Sequence, residues 1–571
     1  MKFQKQIIFT TLFLLNLVHG QDNADQTEGI TLIPGPIVGK YNKNDLKETY
    51  ENAIEIQCDG TTCTSSSDNA LLEEGKVTIT KAGTYILGGE LNGHLNIAAT
   101  KEDLIHIVLR NSTISSDFGP AVYGEKCKKV IITLEGQNTI SDSTFYPENA
   151  ITDEDIEEII EEVTDEPSNE IPDETTKNVE GNSPNACIFI KSNLTFNGKG
   201  SLSGNAIKAK KSISIKEPEI NIDSSKSAIK VTKDNDPEQG FVVIDGGKIT
   251  IKAVDDAIHA ETHLTINDGK INIIECDEGL EAQMVDITGG DIFLTAHNDG
   301  INASKIGAVN LAVHPDRDYS NDEQVYIRII GGKVDVKADG NDLDGIDSNG
   351  SLYIGGTSEV YASAVLGGAF GHMASIDSDG TKIIDSNSTT FVTGAGQMFS
   401  FSNFGWSGRS GKSETSEKSE KSKRQDEFEE PITTVELDEP TMTVDLEIPS
   451  KTDEPEKSKK TNGFGGFGDF GGFGGFGGFG GFGRGGSFVY DEPDSCLFLQ
   501  PYVRVVIDIQ EEGTPVIIKD SKGKVLIEHA PRAQFAIIFF TSPEIIEGET
   551  YTVNVKDITE EKKKIKFKLE K

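Results

Sequence analysis

Short runs of aliphatic residues, separated by Gly, Asn and Asp, dominate the chain from Val77 onward. Between residues 185 and 390 these runs repeat. The repeating unit is a glycine, a charged residue and then alternating apolar positions, and it occurs as Gly247-Lys248-Ile249-Thr250-Ile251 and again at residues 269–273, 290–294 and 332–336. The first three copies begin 22 and 21 residues apart. Because the alternation has a period of two and no helical period, the pattern predicts strands.

A short polar corner follows each copy of the unit. The corners are Asp255-Asp256-Ala257-Ile258, Asp277-Glu278-Gly279-Leu280, Asn298-Asp299-Gly300-Ile301 and Leu343-Asp344-Gly345-Ile346. A repeat of this length with two or three short strands is one turn of a coil. A single coil cannot bury its own aliphatic side chains, so coils must stack about 4.8 Å apart.

Stacking predicts an internal aliphatic ladder, with one residue from each coil. Its members are Ile207, Ile229, Ile258, Leu280, Ile301 and Ile346. An Ala or Gly precedes each of them, as a tight corner requires. The predicted fold class is therefore all-β, a right-handed single-stranded parallel β-helix. A leucine-rich repeat has a similar period, but its spaced leucines are missing here.

Composition divides the chain into five predicted segments. They are a signal peptide at 1–20, a lead-in at 21–52, the β-helix at 53–404, a low-complexity linker at 405–494 and a C-terminal β unit at 495–571. Residues 143–182 interrupt the β-helix with a strongly acidic insertion loop. The linker, rich in Ser, Glu and Lys and then in Phe-Gly-Gly repeats, is predicted to be disordered. The C-terminal unit is either a separate domain or a cap on the open end of the helix.

The N-terminus and the net charge indicate where the protein is located and which partners it does not bind. Lys2 and Lys5 precede the apolar run Ile7 to Leu17, which is typical of a secretory signal and too short for a transmembrane span. We therefore expect a secreted protein, extracellular or at the cell surface, without a transmembrane anchor. The formal net charge of −40 argues against nucleic acid as a partner, since nucleic-acid binding needs basic surface.

Six cysteines suit an oxidising compartment. Cys58 and Cys63 are close enough in sequence to form a small disulfide loop. The remaining four leave three pairings open, and they are Cys127, Cys187, Cys276 and Cys496. Five Asn-x-Ser/Thr sequons, at Asn111, Asn193, Asn302, Asn349 and Asn387, are compatible with glycosylation.

Stacking also turns the corners into polar columns. The first contains Asp255, Asp277 and Asn298, the second Asp256, Glu278, Asp299 and Asp344, and the third His259, Glu281, Asn302 and Asp347. Carboxylates from adjacent coils repel one another at about 5 Å unless a cation neutralises them. Oxygen ligands in that arrangement suit Ca²⁺. The plainer interpretation is that Asp and Asn simply favour turns.

A sugar could be bound by the same columns or cleaved beside them. Lys208 and Lys230 precede His259 in the third column, so a basic patch beside a metal site could grip a uronic acid, with calcium bridging its carboxylate. A lyase acting on uronates would need a Lys or Arg base, and the candidates Arg317, Arg328, Lys305 and Lys333 stand in no distinctive motif.

Several motifs resemble a family of secreted carbohydrate-binding domain proteins, best known from cellulolytic anaerobic bacteria. They are the run Val77 to Gly89, Asp-Asp-Ala-Ile-His-Ala-Glu at 255–261, Glu278 to Ala282, Asn298 to Ala303 and Gly548 to Tyr551. The resemblance implies a parallel β-helix similar to that of pectate lyases, with calcium held by acidic corner residues. It also implies binding to cellulose and acidic plant polysaccharides.

The resemblance assigns calcium to the corner acids. The candidate ligands are Asp255, Asp256, Asp277, Glu278, Asp299 and Asp344, with Glu281 and Asp347 in support. Together with His259 and Asn302 of the third column, Glu281 and Asp347 are secondary metal or sugar ligands. The sequence thus predicts a non-catalytic, calcium-stabilised protein that binds plant cell-wall polysaccharide. The alternatives are a calcium-dependent pectate lyase and a structural matrix protein that self-associates through Phe-Gly-Gly repeats.

Overall fold

The structure is a computed structural model of the chain. It describes residues 45–46, 50–143, 185–233, 236, 238–305, 320, 322–340, 344–365, 367–371, 373–395, 496–556 and 558–563. The predicted signal peptide, the predicted linker, most of the lead-in and the acidic insertion beyond Ser143 lie outside these residues.

All elements in the described residues are strands, which confirms the all-β class, and they form three sheets. The first sheet contains β1 (Ile54–Gly60), β2 (Thr62–Ser65), β5 (Gly83–Asn92), β7 (Leu104–Ser116), β9 (Lys129–Glu135), β10 (Gln137–Asp142), β12 (Asn193–Asn197), β13 (Ser201–Gly204), β15 (Ser212–Ile215), β16 (Glu219–Ser224), β18 (Phe241–Ala253), β20 (His263–Glu275), β22 (Met284–Ile287), β23 (Asp291–Ala296), β25 (Tyr326–Ile329), β26 (Lys333–Ala338), β28 (Ser351–Ile354), β29 (Glu359–Ala364), β32 (Lys382–Ile384), β33 (Thr389–Gly394), β34 (Cys496–Phe498), β35 (Tyr502–Gln510) and β38 (Phe535–Thr541). The second contains β3 (Ala70–Glu73), β4 (Lys76–Ile79), β6 (His94–Ala98), β8 (Val122–Lys126), β11 (Ile188–Ile190), β14 (Ile207–Ala209), β17 (Ile229–Val231), β19 (Ile258–Ala260), β21 (Leu280–Ala282), β24 (Ile301–Ala303), β27 (Ile346–Ser348), β30 (Gly368–Phe370) and β31 (Ala374–Ile376). The third contains β36 (Val516–Lys519), β37 (Val525–His529), β39 (Thr550–Val555) and β40 (Ile558–Lys563).

Successive repeats pair in parallel, residue for residue. In the second sheet Ile207 pairs with Ile229, Ile229 with Ile258, and the register continues through Leu280 and Ile301 to Ile346. All of these side chains are buried. The predicted aliphatic ladder is therefore present, and it belongs to one continuous core that extends from Ile56 to Phe539.

The glycine that opens the repeating unit has a positive φ in every copy. Its values are +93° at Gly247, +117° at Gly269, +91° at Gly290 and +76° at Gly332. A Cβ atom at Gly332 would lie 2.5 Å from the carbonyl oxygen of Gly290. Backbone conformation and close approach of the neighbouring coil therefore both require glycine at this point.

The C-terminal strands continue the first sheet beyond the last coil. β34 pairs in parallel with β32, and β38 pairs antiparallel with both β33 and β35. A second core includes Phe391 from the coils and Phe535 and Phe540 from the C-terminal segment. The C-terminal segment is therefore joined to the repeats through strand pairing and a shared core.

Arg532 ties the C-terminal segment to the coils. Its Nη1 donates to the carbonyl oxygens of Leu294 (2.8 Å) and Asp335 (3.1 Å), and its Nη2 donates to the Thr295 hydroxyl. The guanidinium also lies 3.7 Å from the ring centroid of Phe293. A charged hydrogen-bond donor that is partly removed from water is costly to lose.

We expect Arg532→Met to lower the free energy of unfolding by about 2–3 kcal/mol, because the carbonyl groups of Leu294 and Asp335 lose a charged donor. Urea unfolding followed by intrinsic fluorescence measures this. Lys524→Met is the matched control, since Lys524 pairs with Glu544 at an exposed position and should cost less than about 0.5 kcal/mol. Equal losses in the two variants would show that Arg532 does not anchor the segment.

Cys58 and Cys63 form a disulfide, across the antiparallel pair β1 and β2. The other four cysteines are free thiols, so the structure has none of the three pairings left open by the sequence. Among the sequons, Asn302 is only 8% exposed, which is incompatible with a glycan in the folded state. In the described part of the chain, no helix has the length and apolarity needed to cross a membrane.

Candidate functional site

The corner residues stack in the predicted columns. In the first column, the amide of Asp277 donates to the carbonyl of Asp255 (3.1 Å) and that of Asn298 to Asp277 (2.9 Å). The second column continues the same ladder, since Gly279 N donates to Asp299 O and Gly300 N to Asp344 O, both at 3.0 Å. The repeat therefore places acids from consecutive coils directly above one another.

The third column forms the outward face of the second sheet. Its strands are only three residues long, so the middle residue alone points outward. Going along the stack, these middle residues are Lys208, Lys230, His259, Glu281, Asn302 and Asp347. The column thus changes from basic to acidic, and its two ends have different electrostatics.

At the basic end the acids have cationic partners. Lys230 Nζ lies 3.4 Å from Asp256 Oδ2, and His259 Nδ1 lies 3.3 Å from the same oxygen. His259 also bonds Glu281 through Nδ1 and Glu261 through Nε2 (3.2 Å). These contacts form a closed ion-pair network, to which Ser227 adds hydrogen bonds to Asp255 and Asp256.

The pKa values of this network follow from its contacts. Burial alone would lower the pKa of His259, but its carboxylate partners raise it well above the ordinary value. Burial would raise the pKa of Asp256, but the hydrogen bond and charge of His259 outweigh it and the pKa is lowered. His259 is thus a cation at neutral pH. Asp256, His259 and Glu281 place donor atoms within 4.8 Å of one another, but the proton on His259 and the charge of Lys230 compete with a metal ion there.

At the acidic end, burial and nearby carboxylates raise the pKa values of two acids. The pKa of Glu278 is raised to about 7 by burial and by the charges of Glu281 and Asp256. The pKa of Asp347 is raised well above its ordinary value by burial and by nearby carboxylates, those of Asp299, Asp344, Asp377 and Asp379. In both cases burial is the largest cause, and repulsion by neighbouring carboxylates adds to it.

Asn302 joins the two acidic columns. Its Nδ2 donates to Glu278 Oε2 at 3.1 Å. Its Oδ1 is buried and accepts no hydrogen bond. A buried carbonyl oxygen without a donor is costly in free energy, and its position beside the Glu278 carboxylate is where a hard cation would supply the missing partner.

The types of donor at this end are those that calcium binds. The second and third columns offer the carboxylates of Glu278, Asp299, Asp344 and Asp347 together with the amide oxygen of Asn302. These carboxylates do not converge as closely as the Asp256 group. Calcium accepts six to eight oxygens at about 2.3–2.6 Å and can include waters among them. Only some of these donors would therefore bind one ion directly, and waters would complete its coordination.

The remaining predicted ligands lie elsewhere. Asp255 and Asp277 are exposed, and neither belongs to a group of three donors in the described residues. The acids Asp377 and Asp379, which raise the pKa of Asp347, were missed in the sequence because they follow the last recognisable corner. Their only sequence signal is the continuation of the ladder to Ile376, which pairs with Ile346.

The candidate lyase bases are engaged in other contacts. Lys305 Nζ bonds Asp322 at 2.8 Å, and Lys333 Nζ lies 5.1 Å from the ring centroid of Tyr361. Arg328 donates to Asp286, which raises the pKa of the guanidinium despite its partial burial. Arg317 lies outside the described residues.

The raised pKa of Glu278 predicts that the stability of the protein depends on pH. A carboxyl group whose folded pKa is about 7 binds its proton more tightly when folded than when unfolded. Its contribution to stability is therefore complete below pH ~4.5 and is lost as the pH rises to about 7. Without calcium, we expect Glu278→Gln to gain about 2–3 kcal/mol relative to the wild type between pH 5 and 8.

Thermal unfolding in EDTA at several pH values measures this difference. Glu275→Gln is the control, since the pKa of Glu275 is lowered by its bonds to Lys252 and His297, which predicts no gain. Unfolding curves for Glu278→Gln that stay parallel to the wild type from pH 5 to 8 would contradict the prediction.

The chain matches a known family over two segments. Residues 73–156 and 203–310 match the family model described as carbohydrate-binding domain-containing protein, and this confirms the resemblance predicted from the motifs. No curated protein matches the chain significantly. A solved structure, that of the polysaccharide lyase-like protein from C. thermocellum as a gadolinium derivative, is similar at 22% identity over 50% of this chain and 90% of the other, with a TM-score of 0.32. That superposition is too weak to carry an argument.

Proposed function

We propose, on the premise that this chain belongs to the carbohydrate-binding domain-containing family, that it is a secreted, non-catalytic protein that binds plant cell-wall polysaccharide and is stabilised by calcium. The ligand is cellulose or an acidic pectic sugar. The observation that carries the proposal is the match of residues 73–156 and 203–310 to the family model. The second segment includes the corners with Asp256, Glu278 and Asp299.

The proposed architecture is a right-handed single-stranded parallel β-helix. Its support is the parallel register between consecutive repeats, such as β17 on β19 and β19 on β21. Connections that return to a parallel neighbouring strand are right-handed in about 98% of cases. A face built from parallel strands in register, with a repeat of about 4.8 Å, suits an extended polysaccharide chain.

Calcium has two proposed roles at the acidic end of the columns. It would be held by Glu278, Asp299, Asp344 and Asp347 with the amide oxygen of Asn302, where it offsets the repulsion that raises two of their pKa values. It would also attract a ligand carboxylate. Secretion is supported by the Cys58–Cys63 disulfide, since such bonds persist in oxidising compartments.

A pull-down tests this function. Purified protein is incubated with insoluble cellulose and with a pectate gel, in calcium and then in EDTA. We expect retention on at least one material, and weaker retention on pectate in EDTA. Failure to bind either material would overturn the carbohydrate proposal. Unsaturated products that absorb in the ultraviolet, released from the pectate, would instead establish a lyase.

A further inference from the structure

A second polar network lies on the outer face of the first sheet. Asp286 of β22 is fully buried, and its strand neighbours are Thr265 on one side and Arg328 on the other. His263 Nε2 lies 2.7 Å from Asp286 Oδ2, and the Tyr326 hydroxyl donates to the same oxygen at 3.0 Å. Arg328 Nε donates to the other oxygen, Oδ1. Both oxygens of one buried carboxylate thus hold the surrounding side chains in place.

The network leaves the outer end of Arg328 available. The Arg328 side chain is 40% exposed while that of Asp286 is 0% exposed. Only Nε of Arg328 donates a hydrogen bond to the described residues, so Nη1 and Nη2 have no acceptor there. A guanidinium that is fixed by a buried acid and open at its fork is organised before any ligand arrives, which reduces the entropy lost on binding.

Two tyrosines flank the open fork. The guanidinium carbon of Arg328 lies 5.9 Å from the ring centroid of Tyr326. Tyr353 is the register partner of Arg328 on the next strand, and its hydroxyl bonds Asp385. The guanidinium can pair with an anion, and the two aromatic rings beside it offer apolar surface for the C–H face of a sugar.

The protonation states suit binding and not proton transfer. Burial opposes the charge on Arg328, but its bond to Asp286 raises the pKa of the guanidinium. Burial and the charge of Asp286 raise the pKa of Tyr326 as well. Arg328 is therefore charged and Tyr326 neutral at any physiological pH, so neither group acts as a base.

We propose that Arg328, Tyr326 and Tyr353 form a subsite for the carboxylate of a hexuronic acid unit in a polysaccharide. The planar guanidinium fork matches a planar carboxylate in a bidentate pair, and the tyrosine rings contact the sugar. This inference rests on the proposed function and deepens it, because it selects acidic over neutral glycans. The subsite lies on the first sheet, whereas the calcium columns follow the second sheet.

The test is calorimetric titration of trigalacturonate and of cellotriose into the full chain in saturating calcium. Arg328→Gln should weaken trigalacturonate binding at least tenfold, and Arg328→Lys, which keeps the charge and loses the fork, should weaken it less. Arg110→Gln is the matched control, since Arg110 is similarly exposed (42%) and also bonds an acid through Nε, Glu135 at 2.7 Å. That variant should bind as the wild type does.

The remaining outcomes overturn either the subsite alone or the proposed function as well. Unchanged affinity in a folded Arg328→Gln protein, or wild-type binding of cellotriose without trigalacturonate, would overturn the subsite and leave the proposed function standing. Equal affinity for a polyglutamate peptide would overturn the assignment to a sugar. Binding of neither oligosaccharide, together with failure in the pull-down, would overturn both proposals.

Discussion

Replacing Glu278 by Gln and Asp347 by Asn together is expected to make the calcium-free protein more stable and, at the same time, to weaken calcium binding about 100-fold. Both carboxyl groups have raised pKa values, from burial and neighbouring carboxylates. At pH 8 Glu278, whose pKa is about 7, is ionised and repels its neighbours, so its neutral isostere relieves strain worth on the order of 3 kcal/mol. The Asp347 substitution removes a second acid whose charge burial and neighbouring carboxylates disfavour. The same substitutions remove two charged calcium ligands, at roughly tenfold in affinity for each.

The opposite signs of the two effects separate a calcium site from ordinary turn residues. If the acids were merely solvated corner residues, neither stability nor calcium affinity would change much. Asp255→Asn with Asp277→Asn is the matched control, because both residues are exposed members of the neighbouring column. We expect that variant to stay within about 0.5 kcal/mol of the wild type and to bind calcium normally.

Thermal unfolding in EDTA and calcium titration by calorimetry give the two quantities. A destabilised calcium-free double variant would contradict the electrostatic account of the acidic end. Unchanged calcium affinity in the same variant would place the ion elsewhere, with the exposed first column as the next candidate.

The all-β class and the parallel pairing of the repeats could be predicted from the sequence, because each repeat has the same alternation of apolar and polar residues. The ladder from Ile207 to Ile346 could be written down from spacing alone, and the structure pairs it in that register. The three columns follow from the same register. The short separation between Cys58 and Cys63 likewise identified the disulfide pair.

Which acids lie beside a cation could not be predicted from the sequence in the same way. Equivalent positions in the columns look alike in the sequence, yet Asp256 meets Lys230 and His259, while the neighbouring charges that most raise the pKa of Asp347 are carboxylates. Which acid has a counter-ion depends on side-chain direction across coils. The sequence therefore identified the columns but could not show which of their acids lie beside a cation.

The Arg328 network was hidden for a different reason. Its central pair, Asp286 and Arg328, is separated by 42 residues that include the irregular spacer, where the repeat is interrupted. Because the repeat is interrupted there, the pairing of β22 with β25 could not be predicted from the spacing. In the sequence Arg328 appeared only as a lone basic residue. The structure connects the two strands directly.

Replacing Gly300 by valine is expected to have the largest effect on stability, a loss of about 4 kcal/mol or more. A Cβ atom at Gly300 would lie 2.3 Å from Val336 Cγ1 and 2.4 Å from the carbonyl oxygen of Gly345. That carbonyl accepts the amide of Ile301 at 3.1 Å, so it cannot withdraw without breaking the ladder of the second sheet.

The neighbouring coils show that the constraint at Gly300 is local. The equivalent position is alanine in an earlier corner, Ala257, which is fully buried. Spacing between coils at Ala257 therefore accommodates a Cβ atom, whereas at Gly300 the side chain of Val336 occupies that space. Because Val336 is β-branched and buried, it has few alternative rotamers, and relief must come from backbone movement.

Ala257→Gly is the control for this position, with an expected loss of about 1 kcal/mol from added flexibility. Gly300→Ala should fall between the control and Gly300→Val. Because Asp299 and Asn302 flank the site, backbone movement at Gly300 should also weaken calcium binding, which Ala257→Gly leaves unchanged. Urea unfolding and calcium titration measure both effects. A Gly300→Val protein as stable as the wild type would mean that the coils are spaced more widely here, and the close stacking that forms the columns would have to be abandoned.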